Sequence, residues 1–279
     1  MRLGDDGRMT DFEKLAVRAD EPGRLPPVAR TEIAGVELPL GVLVTADPDF
    51  SDDPAAAAQR AWMSAGHQED PTELWWRLAR VFPETGLWPL VAQTLDDPRI
   101  PGRPWSDGEL SDPTQPTRSA EDFFAETLPA RPPGPSPSGE WRYPGGFPGL
   151  ADALRAEPAA VRLPRLQLPP GDILLVPTTR PADVLSRLGW LGATNHHHSG
   201  DLTAVLRSWE DRFGTVPVVL GFDILGTISE ATPAEGEQLD RLVAEHYAFC
   251  PDNVDQGSDE SSAYGEEIAG SPSWMFWWD

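Results

Sequence analysis

Apolar residues along this chain follow two periods, and the change from one to the other sets out its elements. At a spacing of three to four, Leu74, Trp75, Leu78 and Val81 mark one face of a helix over 72–82, with Asp70 as its cap, Pro71 at the first position and Glu73 three residues on. Asp53-Pro54 has the same form and predicts a helix over 55–65. Further helices are expected over 120–128 behind Ser119 and over 181–188 up to Gly189. Over 202–213, Leu202, Val205, Leu206, Trp209 and Phe213 share a face and Gly214 is the stop. Thr232-Pro233-Ala234-Glu235 is a capping box opening a helix that reaches Phe249 before Pro251 ends it, and a short helix is expected over 262–268.

Strand material lies between these helices. The run VELPLGVLV from Val36 is broken by Pro39 and Gly41, as in an edge or bent strand. Residues 87–91 and 172–176 read as short strands, and 216–220 and 224–229 as a hairpin about Gly221-Phe222-Asp223. The last residues, SWMFWWD, place Trp274, Phe276 and Trp278 on one face and Met275 and Trp277 on the other. That predicts a terminal strand covered on both sides, with a carboxyl pair at the rim. The fold class is therefore α/β (α+β): a mixed sheet with a β-hairpin, covered by helices, in the C-terminal domain, beside a smaller α/β N-terminal part. The expected divisions are a polar, loosely docked arm over 1–30, an N-terminal region over 31–128, a Pro/Gly-rich linker over 129–165 and the C-terminal domain over 166–279.

Composition adds a folded core: of 279 residues 39% are hydrophobic, with 11 Trp and 10 Phe. No apolar run is long enough to span a bilayer, and the N-terminal residues are charged where a signal peptide needs an apolar stretch, so the cytoplasm is expected. The lone cysteine, Cys250, excludes an internal disulfide framework and a cysteine-rich zinc site. Every basic residue but Lys14 is arginine, a bias of high-GC bacterial codons. The net charge of −23 is unevenly spread, since no Lys or Arg comes after Arg241 while Glu245, Asp252, Asp255, Asp259, Glu260, Glu266, Glu267 and Asp279 do. Such a region repels polyanions, so nucleic acid and anionic membrane are not expected partners. A basic protein or a small cationic ligand fits, with Asp252, Asn253, Asp255, Asp259 and Glu260 as candidate contacts.

Three strings, LRSWEDRFG at 206–214, EHYAFCPDN at 245–253 and WMFWWD at 274–279, with the LGFD turn at 220–223, run in order along the C-terminal half. With them the chain resembles the bacterial domain-of-unknown-function family numbered 4253 over about residues 172–279, departing from its pattern at Ile224 and Asp255. The resemblance implies a shared α/β fold and brings no activity, cofactor or catalytic residue.

His246 and Cys250 stand four apart on the last long helix, where a histidine can depress a thiol pKa and create a nucleophile. Leu239 and Val243 share that face, which favours core packing for both. Asp252 and Asn253, just beyond, offer a carboxylate and an amide to a metal or polar ligand, or else simply complete a turn after Pro251. In Asn195-His196-His197-His198, only His196 and His198 can face one ion, short of the ligand count of a zinc site. Arg207 and Asp211 have the i,i+4 spacing of a surface ion pair on a charged face with Glu210 and Arg212. There is no phosphate loop, GxSxG, HExxH or dinucleotide fingerprint, and nothing specifies a cofactor. The sequence favours an acidic binding protein acting through its C-terminal domain. The alternative is a hydrolase-type or metal-assisted enzyme centred on His246, Cys250, Asp252 and Asn253, and the two are separated by whether those groups face a cavity.

Overall fold

The computed structural model describes residues 11–51, 59–95, 102–129, 146–258 and 261–279. In chain order the strands are β1 (Phe12–Ala16), β2 (Thr31–Ile33), β3 (Val36–Leu38), β4 (Gly41–Thr45), β5 (Gln59–Ser64), β6 (Leu87–Ala92), β7 (Ala160–Pro164), β8 (Asp172–Pro177), β9 (Val216–Leu220), β10 (Ile224–Ile228) and β11 (Ser273–Trp277). The helices are α1 (Thr72–Arg80), α2 (Phe82–Thr85), α3 (Ala120–Thr127), α4 (Val184–Leu188), α5 (Ser199–Phe213), α6 (Gly236–Phe249) and α7 (Ser261–Ile268). A π-helical turn, Asn253–Ser258, comes after α6.

Seven strands form one mixed sheet in the order β11-β10-β9-β6-β8-β5-β4, while β1 pairs with β7 and β2 with β3 in two small sheets. Within the large sheet only β6 and β9 run parallel among the described pairs, and their ladder covers Val91 and Ala92 alone, beyond Pro89. Before that point the Trp88 indole donates to Pro217 O at 2.9 Å, bridging the two strands where Pro89 has no N–H to give. Sequence and position agree: the central strands LWPLVA and, after Asp172, ILLVP are continuous apolar runs buried on both faces, whereas burial in the edge strand β11 alternates.

The linker does not separate two sheets. Strand β6, from the N-terminal side, lies between β8 and β9, so strands from both sides of the linker interleave. Residues 130–145 of that linker lie outside the described residues. Its C-terminal portion is packed: Ala151, Val161 and Leu163 are buried, and β7 pairs with β1. The expected loose arm over 1–30 is likewise overturned from Phe12 onward, because Phe12–Ala16 form that pair along their whole length.

Three further expectations change. Residues 59–64 are a strand rather than part of a helix over 55–65, since Ala61, Trp62 and Met63 are enclosed between β4 and β8 and tertiary burial outweighs a helix-start signal; residues 55–58 lie outside the described ones. Helix α6 starts at Gly236, not at the capping box: the Pro233 carbonyl accepts the Gly270 N–H at 3.0 Å, which holds 232–235 to the α7–β11 connection. The terminal strand is covered on one face only. Trp274, Phe276 and Trp278 are buried, but Met275 is 44% exposed and Trp277 half-buried, because β11 is a sheet edge.

Candidate functional site

The four residues singled out as an enzyme centre are engaged in holding β11. In an edge strand, alternate residues direct N–H and C=O outward with no neighbouring strand to meet them. Here those groups belong to Met275, Trp277 and Asp279, and the turn after α6 supplies their partners. Asn253 Nδ2 donates to Met275 O at 2.7 Å and Asn253 Oδ1 accepts Trp277 N–H at 3.1 Å. The Cys250 thiol donates to Trp277 O at 2.9 Å, and Asp252 Oδ2 accepts Asp279 N–H at 3.0 Å. The Asn253 amide thus stands in for a residue of a neighbouring strand, and Cys250, Asp252 and Asn253 together form a clamp on the end of the chain. Behind it, Asn253 Nδ2 also meets the Tyr264 hydroxyl at 3.2 Å, which is 2.9 Å from His246 Nδ1.

Burial decides the ionisation of this group. Cys250 is wholly buried and its thiol is pushed up to about 12, chiefly by desolvation, the reverse of what a thiolate nucleophile needs. His246, packed against Trp209, Trp274 and Phe276, is held down to about 3 by burial and by Arg212, so it is neutral. His246 and Cys250 are core residues, as their shared face with Leu239 and Val243 favoured, and each bonds elsewhere rather than forming the alternative catalytic pair. Asp255 accepts from the Tyr247 hydroxyl at 3.2 Å. Asp259 and Glu260 lie outside the described residues.

The histidine trio is divided in the same way. His196 Nε2 lies 3.1 Å from Asp252 Oδ2, and His198 precedes α5 as its N-terminal flank. His197 sits edge-on to Phe123 with ring centroids 4.8 Å apart, and burial lowers it to about 4. Among the described residues no three His, Cys, Asp or Glu side chains converge on a metal position.

Two buried carboxylates escaped sequence reasoning because each occupies a position that looks like solvated helix surface. Glu245 accepts the Trp209 indole N–H at 2.7 Å, the Ala151 N–H at 2.8 Å and two bonds from Arg212 at 2.6 and 2.9 Å. Glu210 is fully buried between Arg180 and Arg18, the latter at 3.0 Å; desolvation outweighs both guanidinium groups and pushes it up to about 7. The Arg207–Asp211 pair is also rearranged. Arg207 grips Asp183 through bonds of 2.6 and 2.9 Å, while Asp211 takes Arg180 at 2.8 Å and Arg18 at 3.3 Å. Both networks join segments distant in sequence, which is why helix spacing alone pointed elsewhere.

An open cleft of about 410 Å³ lies where β9 ends, β10 begins and β11 finishes. Trp190, Phe222, Trp278 and Phe50 supply aromatic wall, and Glu109, Asp223 and Asp279 supply acid. The aromatic groups are fixed. Trp190 Nε1 donates to Gly221 O at 2.8 Å, Trp278 Nε1 to Phe249 O at 3.2 Å, and the two rings meet edge to face at 5.4 Å. Gly192 is required for this approach: a Cβ there would stand 2.0 Å from the Trp190 ring and 2.2 Å from Phe222 O. Arg103 stacks over Phe222 at 4.5 Å and pairs with Glu109, with one bond at 2.9 Å. The carboxylates of Asp223 and Asp279 enter no ion pair among the described residues. Of the described residues that sequence reasoning proposed as sites, none lines this cleft. The only signals for it were the LGFD turn and the terminal tryptophans, both of which read as structural in the sequence.

No curated protein and no solved structure matches the chain. Residues 172–279, which carry the clamp, the hairpin turn and the aromatic tail, match the family described as Domain of unknown function (DUF4253).

Proposed function

We propose that this is a binding protein whose C-terminal cleft takes a positively charged organic group. One observation carries the reading: two tryptophan rings locked by their own hydrogen bonds stand beside two carboxylates with no cationic partner among the described residues, around a cavity large enough for a small ligand or a basic side chain. A cation over an aromatic face gains about 0.5–2 kcal/mol, and the contact is already realised once by Arg103 over Phe222. Clefts that pair apolar wall with a few polar anchors are the usual form of ligand sites. The excess of acid after Arg241 supports a cationic partner over nucleic acid or an anionic membrane. No helix among the described residues is long and apolar enough to cross a membrane. A buried free thiol supports a cytoplasmic setting.

Calorimetric titration tests the reading with agmatine, choline and spermidine set against neutral isosteres and against citrate. Saturable binding of a cation, weakened at least tenfold by Asp223→Asn and absent for its isostere, is the expected result. Equal binding of neutral or anionic compounds, or no binding at millimolar concentration, overturns it.

A further inference from the structure

We propose that a second surface, the groove between α6 and α7, is the seat of a basic amphipathic helix from a partner protein. The groove has a volume of about 580 Å³ and belongs to neither the clamp nor the cleft. Its floor is apolar: Val243, Ala244 and Tyr247 of α6 face Gly265 of α7, with Leu239 half-buried on the wall. At the end of the groove where the Gly270 N–H meets the Pro233 carbonyl, the lining side chains are small: Ala234, Gly236 and Ala269. Small residues along a groove between two helices let a third backbone come close, as ridges pack into grooves. A side chain on Gly236 would meet nothing within 4 Å.

The rim supplies the sign of the partner. Glu235, Asp240 and Glu266 border the groove, all three are exposed, and none enters an ion pair among the described residues. Arg241, next to Asp240 in sequence, is held by Glu237 at 2.5 Å and by Leu150 O at 3.2 Å. An apolar floor between unpaired carboxylates complements a helix with apolar residues at i, i+3, i+4 and i+7 and Lys or Arg beside them. An extended or purely polar polycation would leave the floor unfilled.

The test uses the full chain and a fluorescein-labelled Leu/Lys peptide of about 18 residues with leucines at helical spacing. Its controls are the same peptide with Glu for Lys and one of identical composition with the leucines scattered. Anisotropy is expected to show saturable binding of the amphipathic Lys peptide, at least tenfold tighter than either control. Gly265→Leu fills the groove, since its Cβ would lie 3.4 Å from Val243 Cγ2, and should weaken binding at least tenfold with an unchanged circular dichroism spectrum. If that variant misfolds, Glu266→Lys on the exposed rim serves instead, with a loss of at least threefold expected. Saturating agmatine, which occupies the cleft, should displace nothing, so this proposal and the cleft reading fail separately. Binding of the scattered peptide equal to that of the amphipathic one, or no loss in these variants, overturns the groove.

Discussion

The turn after α6 and the cleft below the β9–β10 hairpin hold similar chemical groups and use them in opposite ways. In the turn, Cys250, Asp252 and Asn253 are engaged by hydrogen bonds to the chain's last residues, 275–279, and Asn253 also to Tyr264 of α7. Their function is to close a sheet edge that would otherwise present unpaired main-chain groups. In the cleft, Asp223 and Asp279 stand beside immobilised rings without an ion-pair partner among the described residues. A polar group satisfied by its own fold has no free energy left to give a ligand, whereas an unsatisfied group at the wall of a cavity does. Residue type alone would have ranked the turn first.

The sharpest way to break the contrast is to remove what the turn holds. Phe276 is wholly buried among Trp209, His246 and Phe249, and Phe276→Ala should cost about 3–5 kcal/mol. Urea unfolding monitored by tryptophan fluorescence reads this directly, and a change under about 1 kcal/mol would mean that the tail strand is not part of the core.

Next in size is the clamp itself. Asn253→Asp keeps the shape but removes the donor to Met275 O, so it sets an acceptor against an acceptor, with an expected loss of about 1–3 kcal/mol. Cation binding in the cleft should survive in this variant at temperatures below its unfolding. An unchanged melting temperature would detach Asn253 from the edge.

Acid should weaken the protein through its buried histidines. His197 falls from 6.5 to about 4 on folding, so between those values the unfolded chain binds a proton that the folded chain refuses. Its stabilisation is complete above pH 6.5 and is lost as pH falls toward 4, with a slope of up to about 1.4 kcal/mol per pH unit. His246 acts in the same direction. Glu210 opposes them, because its raised pKa makes stability fall between pH 4.5 and about 7. Comparing the wild type with His197→Phe isolates one histidine: the variant should show a shallower loss of stability from pH 6.5 to 4.5. Parallel pH profiles would place a charged imidazole in the folded state.

The smallest effect on stability belongs to the cleft. Asp223→Asn should stay within about 0.5 kcal/mol of the wild type, as polar changes outside any ion pair or packed core usually do, while weakening cation affinity. A large fall in stability would show that Asp223, like Asn253, is spent on the fold.

Much of the secondary structure was legible from local pattern. Helix α5 with its Gly214 stop, the β9–β10 hairpin and the alternating faces of β11 all arise from periods of 3.6 and 2 and from glycine's access to positive φ. The strand at Gln59–Ser64 was not, since its identity comes from burial between β4 and β8 rather than from its own propensity. Nor could the sequence show that β6 is inserted between β8 and β9, which makes the sheet a joint product of both sides of the linker. The clamp residues were named from the sequence as a cluster, but their partners lie more than twenty residues away on β11, and only folding turns a candidate active site into an edge cap. The cleft was invisible for the same reason. Trp190, Phe222 and Trp278 share no spacing; they meet because the hairpin turn, the loop after α4 and the end of β11 reach one end of the sheet. Short-range order is written in neighbouring residues, whereas unpaired charge beside a fixed ring is a property of where distant segments stop.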